Sequence, residues 1–204
     1  MGFYAIEALE QGSPEWLNWR RGVIGASDAP TIMGENPWSS ASYLMKDKLG
    51  LNPPFHGNAA TRDGQYHEAH ARKALIEEAK FNLIPLVVQD DKIPHIAASL
   101  DAVSEDFQHL FEIKCGIKTY QYVAEEREVP NYYYGQLQHM LMVLDLPTIY
   151  FTVYRPDQKM LTMAVRSDAG YIKRLKAKEK DFVKELTARG HAMQKTFKGK
   201  LVTR

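Results

Sequence analysis

The stretch Leu110-Phe111-Glu112-Ile113-Lys114-Cys115 places an acid and a lysine two residues apart inside an otherwise apolar strand. Successive side chains of an extended chain point to opposite faces. Leu110, Glu112 and Lys114 therefore share one face, and Phe111, Ile113 and Cys115 the other. The second set reads as the buried face, which leaves Glu112 and Lys114 side by side on the opposite one. A preceding apolar run, Ile96-Ala97-Ala98-Ser99-Leu100, closes on Asp101, and residues 102–109 suffice for a hairpin connection back. Two carboxylates and one ammonium then converge on one patch.

Hard carboxylate oxygens suit Mg²⁺, which keeps several waters and takes one or two carboxylates together with a substrate phosphate. A lysine beside them can position water or stabilise charge on a phosphate. This is the chemistry of metal-dependent phosphodiester cleavage. An acid, any residue, then lysine also occurs at Glu78/Lys80, Asp90/Lys92 and Asp157/Lys159. Glu78 lies in a helical pattern, where positions two apart diverge, and the other two lie in turns. Glu112 alone sits on an apolar strand with an acid closing the strand before it. The competing reading is an exposed ion pair between strands.

At 204 residues and 45% apolar, the chain is expected to be a single domain, 1–204, with a substantial core. Its parts are N-terminal helices (1–60), a core (61–166), and a closing helix with a basic tail (167–204). One cysteine excludes an internal disulfide, and Cys115 reads as a small buried hydrophobe. No apolar run is long enough to span a membrane, and no charged-then-apolar leader opens the chain, so a soluble cytoplasmic protein is expected. From Lys173 to Arg204 there are eleven basic and three acidic residues, a surplus of eight; with +1 in total, the first 172 residues carry about −7. A basic segment can track phosphates. However, Ile172, Leu175, Phe182 and Leu186 form an apolar stripe, so the charges there read as a solvated helix face.

Ser13-Pro14-Glu15 starts a helix that carries Trp16 and Trp19 inward. Gly25-Ala26-Ser27-Asp28 opens a second, which stops at Gly34; with Arg21 six residues before Ser27, its start is a natural anion site. A third runs from Ser40 to Lys48, followed by a loop, Leu51 to Ala60. Ala60 to Ala79 reads as a long helix on which Glu68 faces Arg72 one turn later. His67 and His70 are three apart with no third ligand, which excludes the zinc helix motif. Strands follow at Leu83–Val88, at the two organising stretches, and at Thr148–Tyr154 and Met160–Val165. Helices are expected over Asn131–Leu144 and Asp168–Arg189. Tyr132, Tyr133 and Tyr134 cannot all lie on one buried face; they meet a partner, or their helix packs on two sides. The order of elements predicts an α/β fold, a central mixed β-sheet flanked by helices.

Taken together, these segments resemble the lambda-exonuclease-type phage recombination nucleases (YqaJ-like alkaline exonucleases), within the superfamily written Pro-Asp…(Asp/Glu)-x-Lys. Arg21-Gly22-Val23-Ile24-Gly25-Ala26-Ser27 is similar to the family's phosphate-binding segment. Gly64 to Arg72 resembles the helix bearing an additional glutamate, and Ser99-Leu100-Asp101 with Glu112-Ile113-Lys114-Cys115 the core motif. Tyr134-Gly135-Gln136-Leu137-Gln138-His139-Met140 resembles its Gln-x-Gln helix. Leu100 stands where the superfamily has Pro, and Gly116 where Pro often follows; neither position supplies a functional side chain.

The resemblance implies a restriction-endonuclease-like core in which Asp101, Glu112 and the Ile113 carbonyl bind Mg²⁺, with Mn²⁺ as a substitute. Glu68 would support a second ion or the attacking water, Lys114 would position that water, and Gln136 would orient the site. Arg21, Ser27 and Ser99 would hold a 5′-phosphate. The implied activity is 5′→3′ digestion of one strand of double-stranded DNA to mononucleotides by a toroidal homotrimer. The 3′ single strand left behind would serve phage recombination with a single-strand annealing protein in a bacterial host. The alternatives are an endonuclease of restriction or repair type and a catalytically silent DNA-binding accessory protein.

Overall fold

The computed structural model describes residues 2–53, 59–80, 82–93, 95–189 and 200–202. Local signals set its helix boundaries. Ser13 caps α1 (Pro14–Arg21) by accepting the Trp16 N–H at 3.1 Å, and Pro14 stands at the first helical position, where its missing N–H costs nothing. A 3₁₀ turn (Ala26–Asp28) runs into α2 (Ala29–Met33), which ends at Gly34 with φ 82°. Ser40 caps α3 (Ala41–Lys48), and Asp168 caps α7 (Ala169–Ala188) through the Tyr171 N–H at 2.9 Å. Each such cap contributes on the order of 1 kcal/mol. Between α3 and α7 come α4 (Ala59–Ala79), α5 (Ile117–Glu126) and α6 (Asn131–Leu144).

The strands are β1 (Phe3–Ala5), β2 (Leu83–Asp90), β3 (Ala97–Ser104), β4 (Leu110–Lys114), β5 (Thr148–Val153), β6 (Leu161–Arg166) and β7 (Lys200–Val202). They form one mixed sheet in the order β6-β5-β4-β3-β2-β1-β7. Among the described residues, the pairings between these strands are antiparallel except β4–β5, whose parallel connection is made by α5 and α6. The expected α/β architecture is therefore the observed one. β1 had no counterpart in the sequence reading; three residues are too few to show a period.

Helices cover both faces of the sheet. On one, Ala71 and Leu75 of α4 pack on Phe111, Ile113 and Cys115. On the other, Leu137, Met140, Leu141 and Leu144 of α6, with Phe182 and Leu186 of α7, pack on Leu110, Ile149, Phe151 and Val153. Each of these large side chains contributes roughly 1.5–3 kcal/mol through burial. The alternation along β4 is as expected, but its second face is not solvent: Glu112 is 1% exposed. The reading of Glu112 and Lys114 as an exposed ion pair between strands is thereby corrected, because α6 lies over that face, with Gln136 on Glu112 and Tyr133 against Lys114.

Two irregularities open the sheet where the charges lie. Leu100 pairs with Leu86 and Val103 with Ile84, so Asp101 and Ala102 together oppose Pro85, a β-bulge at a residue without an N–H. Strands β3 and β4 pair only at Ala102↔Phe111 and Val103↔Leu110 among the described residues. Beyond Asp101 the ladder is interrupted: the Ile113 N–H goes to the Asp101 carboxylate at 2.9 Å instead of to a backbone carbonyl.

The tyrosines of α6 find partners within the chain. Tyr132 meets Trp38, Tyr133 packs on Phe151, and Tyr134 packs on Tyr171 and donates to Asp168. The helix is packed on two sides, which accounts for the run. The basic residues of α7 lie around a buried stripe of Tyr171, Leu175, Phe182 and Leu186. Half of the Leu51–Ala60 loop, residues 54–58, and most of the tail after Gly190 lie outside the described residues. Among those described, no helix is long and apolar enough to cross a membrane.

Candidate active site

The gap between β3 and β4 is the floor of a cleft of about 210 Å³. Its lining includes Asp101, Glu112, Lys114 and Gln136 at one side, and Trp16, Arg20, Ser27 and Ser99 at another. The first group is held by strands and a helix. Lys114 Nζ donates to Glu112 Oε1, which also accepts Gln136 Nε2 at 2.7 Å. The ammonium lies 5.0 Å from the centre of the Tyr133 ring, on the same helix as Gln136. Glu112 Oε2 is buried without a hydrogen-bond partner among the described residues. That lone oxygen is a costly feature to keep in a folded chain unless something binds it.

Glu68, on α4, accepts Arg72 Nη2 at 2.7 Å, so the expected i,i+4 ion pair is present. The same guanidinium reaches across with Nε to the Asp101 carbonyl at 2.6 Å and ties α4 to the bulge. Burial and the nearby Asp101 charge push the Glu68 carboxyl up to about 7. Burial and Asp101 likewise push Glu112 up to about 8 against the pull of Lys114. Asp101 is raised by its burial, with Lys114 and the Ile113 N–H opposing. Lys114 stays firmly protonated despite burial, because Glu112 and Asp101 favour its charge. The three acids share too little positive charge, the condition that a bound cation relieves. Burial, with the charges of Glu68 and Asp101, pushes the Cys115 thiol up to about 12, which fits a packed hydrophobe and not a nucleophile.

Among the described residues, no three His, Cys, Asp or Glu side chains form a metal cage by themselves. The donor set on offer is Asp101 and Glu112 with their backbone neighbours. Two carboxylates, one with an orphaned oxygen, fit an ion that retains water and uses few protein ligands.

At the other side of the cleft, Trp16 Nε1 donates to Ser99 Oγ at 2.8 Å, and Arg20 Nη2 donates to Ser27 Oγ. The Arg20 guanidinium stacks 4.9 Å from the Trp16 ring centre. Of the three residues expected to hold a phosphate, Ser27 and Ser99 line the cleft and Arg21 does not. It is exposed and off the cleft, and Arg20 occupies the place assigned to it. Adjacent helical residues point about 100° apart, so one step in number moves a side chain off the site. A signal was available: Trp16 and Arg20 are i,i+4 on α1 and share a face. Arg72 as a bridge to Asp101, Tyr133 beneath Lys114, and Gln11, whose Nε2 donates to the Leu100 carbonyl at 2.9 Å, carried no such signal.

The chain, with its mixed sheet opened at a bulge and an acid–acid–lysine group across the opening, is of the viral recombinase class. Residues 15–149 match the YqaJ-like viral recombinase domain, and the chain belongs to that family. It is 27% identical over 188 residues to the uncharacterized protein YqaJ of Bacillus subtilis (strain 168), covering 90% of this chain and 59% of that protein. The chain thus spans under two thirds of this relative's length. Among solved structures, the alkaline exonuclease LHK-Exo from Laribacter hongkongensis shares the fold, with TM-score 0.75, 22% identity, and coverage of 87% of this chain and 94% of that one. Its complex with dAMP gives TM-score 0.73 at the same identity and coverage. A phage-related exonuclease from Haemophilus somnus 129PT gives TM-score 0.58, 16% identity, and coverage of 82% and 96%.

Proposed function

We propose that this chain is a Mg²⁺-dependent nuclease of phage-type recombination that digests double-stranded DNA from a 5′-phosphorylated end. One observation carries the reading: a single cleft holds both the Asp101/Glu112/Lys114 group and the Arg20/Ser27/Ser99 group. The first group is suited to cutting a phosphodiester, and the second to gripping a phosphate a short way off. A site built so that the bond cut lies beside a captured terminal phosphate releases mononucleotides. The crystallised complex of LHK-Exo with dAMP supports a product of that size for this fold.

Asp101, Glu112 and the Ile113 carbonyl would hold Mg²⁺ or Mn²⁺, and Glu68 would serve a second ion. When bound, the ion supplies Lewis acidity toward the phosphoryl oxygen and a nucleophilic water at neutral pH. Lys114, kept charged by Glu112 and Asp101, contributes a fixed positive group where negative charge develops. Gln136 holds Glu112 Oε1, and Oε2 would be the oxygen offered to the ion. Arg20 and the two serine hydroxyls provide a charge-assisted grip on the end phosphate. A ring of three copies around the duplex, working with a single-strand annealing protein in the bacterial cytoplasm, completes the proposal.

The test is a linear duplex with a 5′-phosphate at one end only, incubated with and without Mg²⁺ beside a closed circle. Metal-dependent shortening from the phosphorylated end is expected. Cutting of the closed circle identifies an endonuclease, and binding without products a silent accessory protein; either outcome refutes the proposal.

A further inference from the structure

The segment from Arg20 to Asp28 carries the phosphate-gripping side of the cleft, yet it contains only the end of a helix and one 3₁₀ turn. Regular structure does not hold it in place. On the sheet side it is fixed by Ile24, whose N–H goes to the His95 carbonyl at 2.6 Å and whose carbonyl takes the Ala97 N–H at 3.0 Å. On the other side lies a side chain that the cleft does not contain. Lys48, the last residue of α3, is 7% exposed and points into the turn. Its ammonium has three protons and three acceptors: the Arg20 carbonyl at 2.9 Å, the Val23 carbonyl at 2.6 Å and Asp28 Oδ2 at 2.7 Å. Asp28 Oδ2 also accepts the Gly25 N–H at 2.9 Å and so closes the turn that presents Ser27.

A buried lysine at the end of a helix is an expensive way to fill space, because an apolar side chain would pack there without desolvating a charge. Its position has a specific geometric consequence. One ammonium joins the backbone of Arg20, which supplies the cation of the cleft, to the carboxylate that shapes the turn bearing Ser27. Resting on the proposed phosphate grip, we infer that Lys48, through Asp28, is the positioning residue that sets Arg20 and Ser27 at the spacing of a terminal phosphate. It thereby determines preference for a phosphorylated end without touching the DNA. Without it, the Arg20 and Ser27 side chains remain, but the ammonium that joins the Arg20 backbone to the Ser27 turn is gone.

The experiment compares kcat/KM on 5′-phosphate and 5′-hydroxyl duplex ends for the wild type, Lys48→Met, and the double variant Asp28→Asn/Lys48→Met, with thermal melts of each. The double variant removes both charges together and leaves no lone buried ion; it decides the matter if Lys48→Met alone does not fold. A folded variant whose phosphate-to-hydroxyl ratio falls about tenfold, mainly through KM on the phosphorylated end, bears the inference out. Damage that is merely structural lowers both ends alike and leaves the ratio intact, and that result overturns it. A wild type indifferent to the end group removes the phosphate grip itself, and the inference with it.

Discussion

Glu112 is the residue at which function and stability pull apart. Its carboxyl is buried, its Oε2 has no hydrogen-bond partner among the described residues, and burial with the Asp101 charge raises it to about 8. A raised acid stabilises the fold fully below its unfolded value, and that contribution is lost as pH rises through the folded value. In chelator, the window from about 4.5 to 8 should therefore cost wild-type stability that Glu112→Gln does not lose. The expected result is a variant that melts no lower than wild type at pH 8 in chelator, yet digests no DNA. Mg²⁺ should raise the melting temperature of the wild type and not of the variant. Asp101→Asn and Lys114→Ala should likewise reduce digestion by at least about a hundredfold, with DNA binding retained in gel shifts. Near-normal turnover by Lys114→Ala would remove lysine from the mechanism. Glu78, on the outer turn of α4, shares the acid-x-lysine spacing and none of the cleft, so Glu78→Ala should leave turnover unchanged. The same spacing at four places became informative only with burial and pairing, which depend on residues far away in the chain.

At the scale of elements, α6 ties the site to the rest of the fold. Gly135 lies where a Cβ would meet the Tyr171 hydroxyl at 2.7 Å and the Pro30 backbone nitrogen at 3.2 Å. The backbone cannot yield as a side-chain tip can, so Gly135→Ala should destabilise by about 1–3 kcal/mol and disturb the neighbouring Gln136. A denaturant titration measures the first effect. One turn further on, His139 is buried with Nδ1 2.6 Å from Glu179 Oε1 and Nε2 2.9 Å from the Ala97 carbonyl. Two acceptors require both ring nitrogens to donate, which is the charged form. Burial lowers its pKa, but Glu179, with the Ala97 carbonyl and Asp28 behind it, raises it on balance above the ordinary 6.5. Its contribution is therefore present below pH 6.5 and lost as pH rises through the folded value. Wild type should lose stability over that rise, and His139→Gln should show a flatter profile by melting at pH 6 and pH 9. Helix ends were legible in the sequence because caps are local: Ser13, Ser40 and Asp168 act within three residues. The Gly135 approach and the His139–Glu179 pair were not, since they join α6 to α2 and α7.

For the whole molecule, the question is how a chain with net charge +1 stays on a polyanion. Neutralising phosphates gives binding that falls steeply with salt, and a surplus confined to the last 32 residues offers little of it. Encirclement by a closed ring of copies holds DNA by topology and not by charge. The proposed trimer should therefore keep digesting after a salt jump that blocks fresh loading, and light scattering should give three times the chain mass. A monomeric mass, or digestion that halts at the jump, would dispose of the ring.

What the sequence by itself determined were the properties that repeat or act locally. They are the strand period that sets Glu112 beside Lys114, the caps that bound the helices, and the order of elements that yields a mixed sheet between helices. Only the tertiary structure decided which of those features become a site. It buried both faces of β4, parted β3 from β4 at the bulge opposite Pro85, and turned Arg20, not Arg21, into the cleft. The physical reason is the range of the interactions. Periodicity and capping are settled within a few residues, whereas the burial of Glu112 depends on α6, and the bulge and splay on pairings with strands tens of residues away. The direction of an arginine at a helix end depends on how that helix lies against Ser99, 83 residues beyond Trp16.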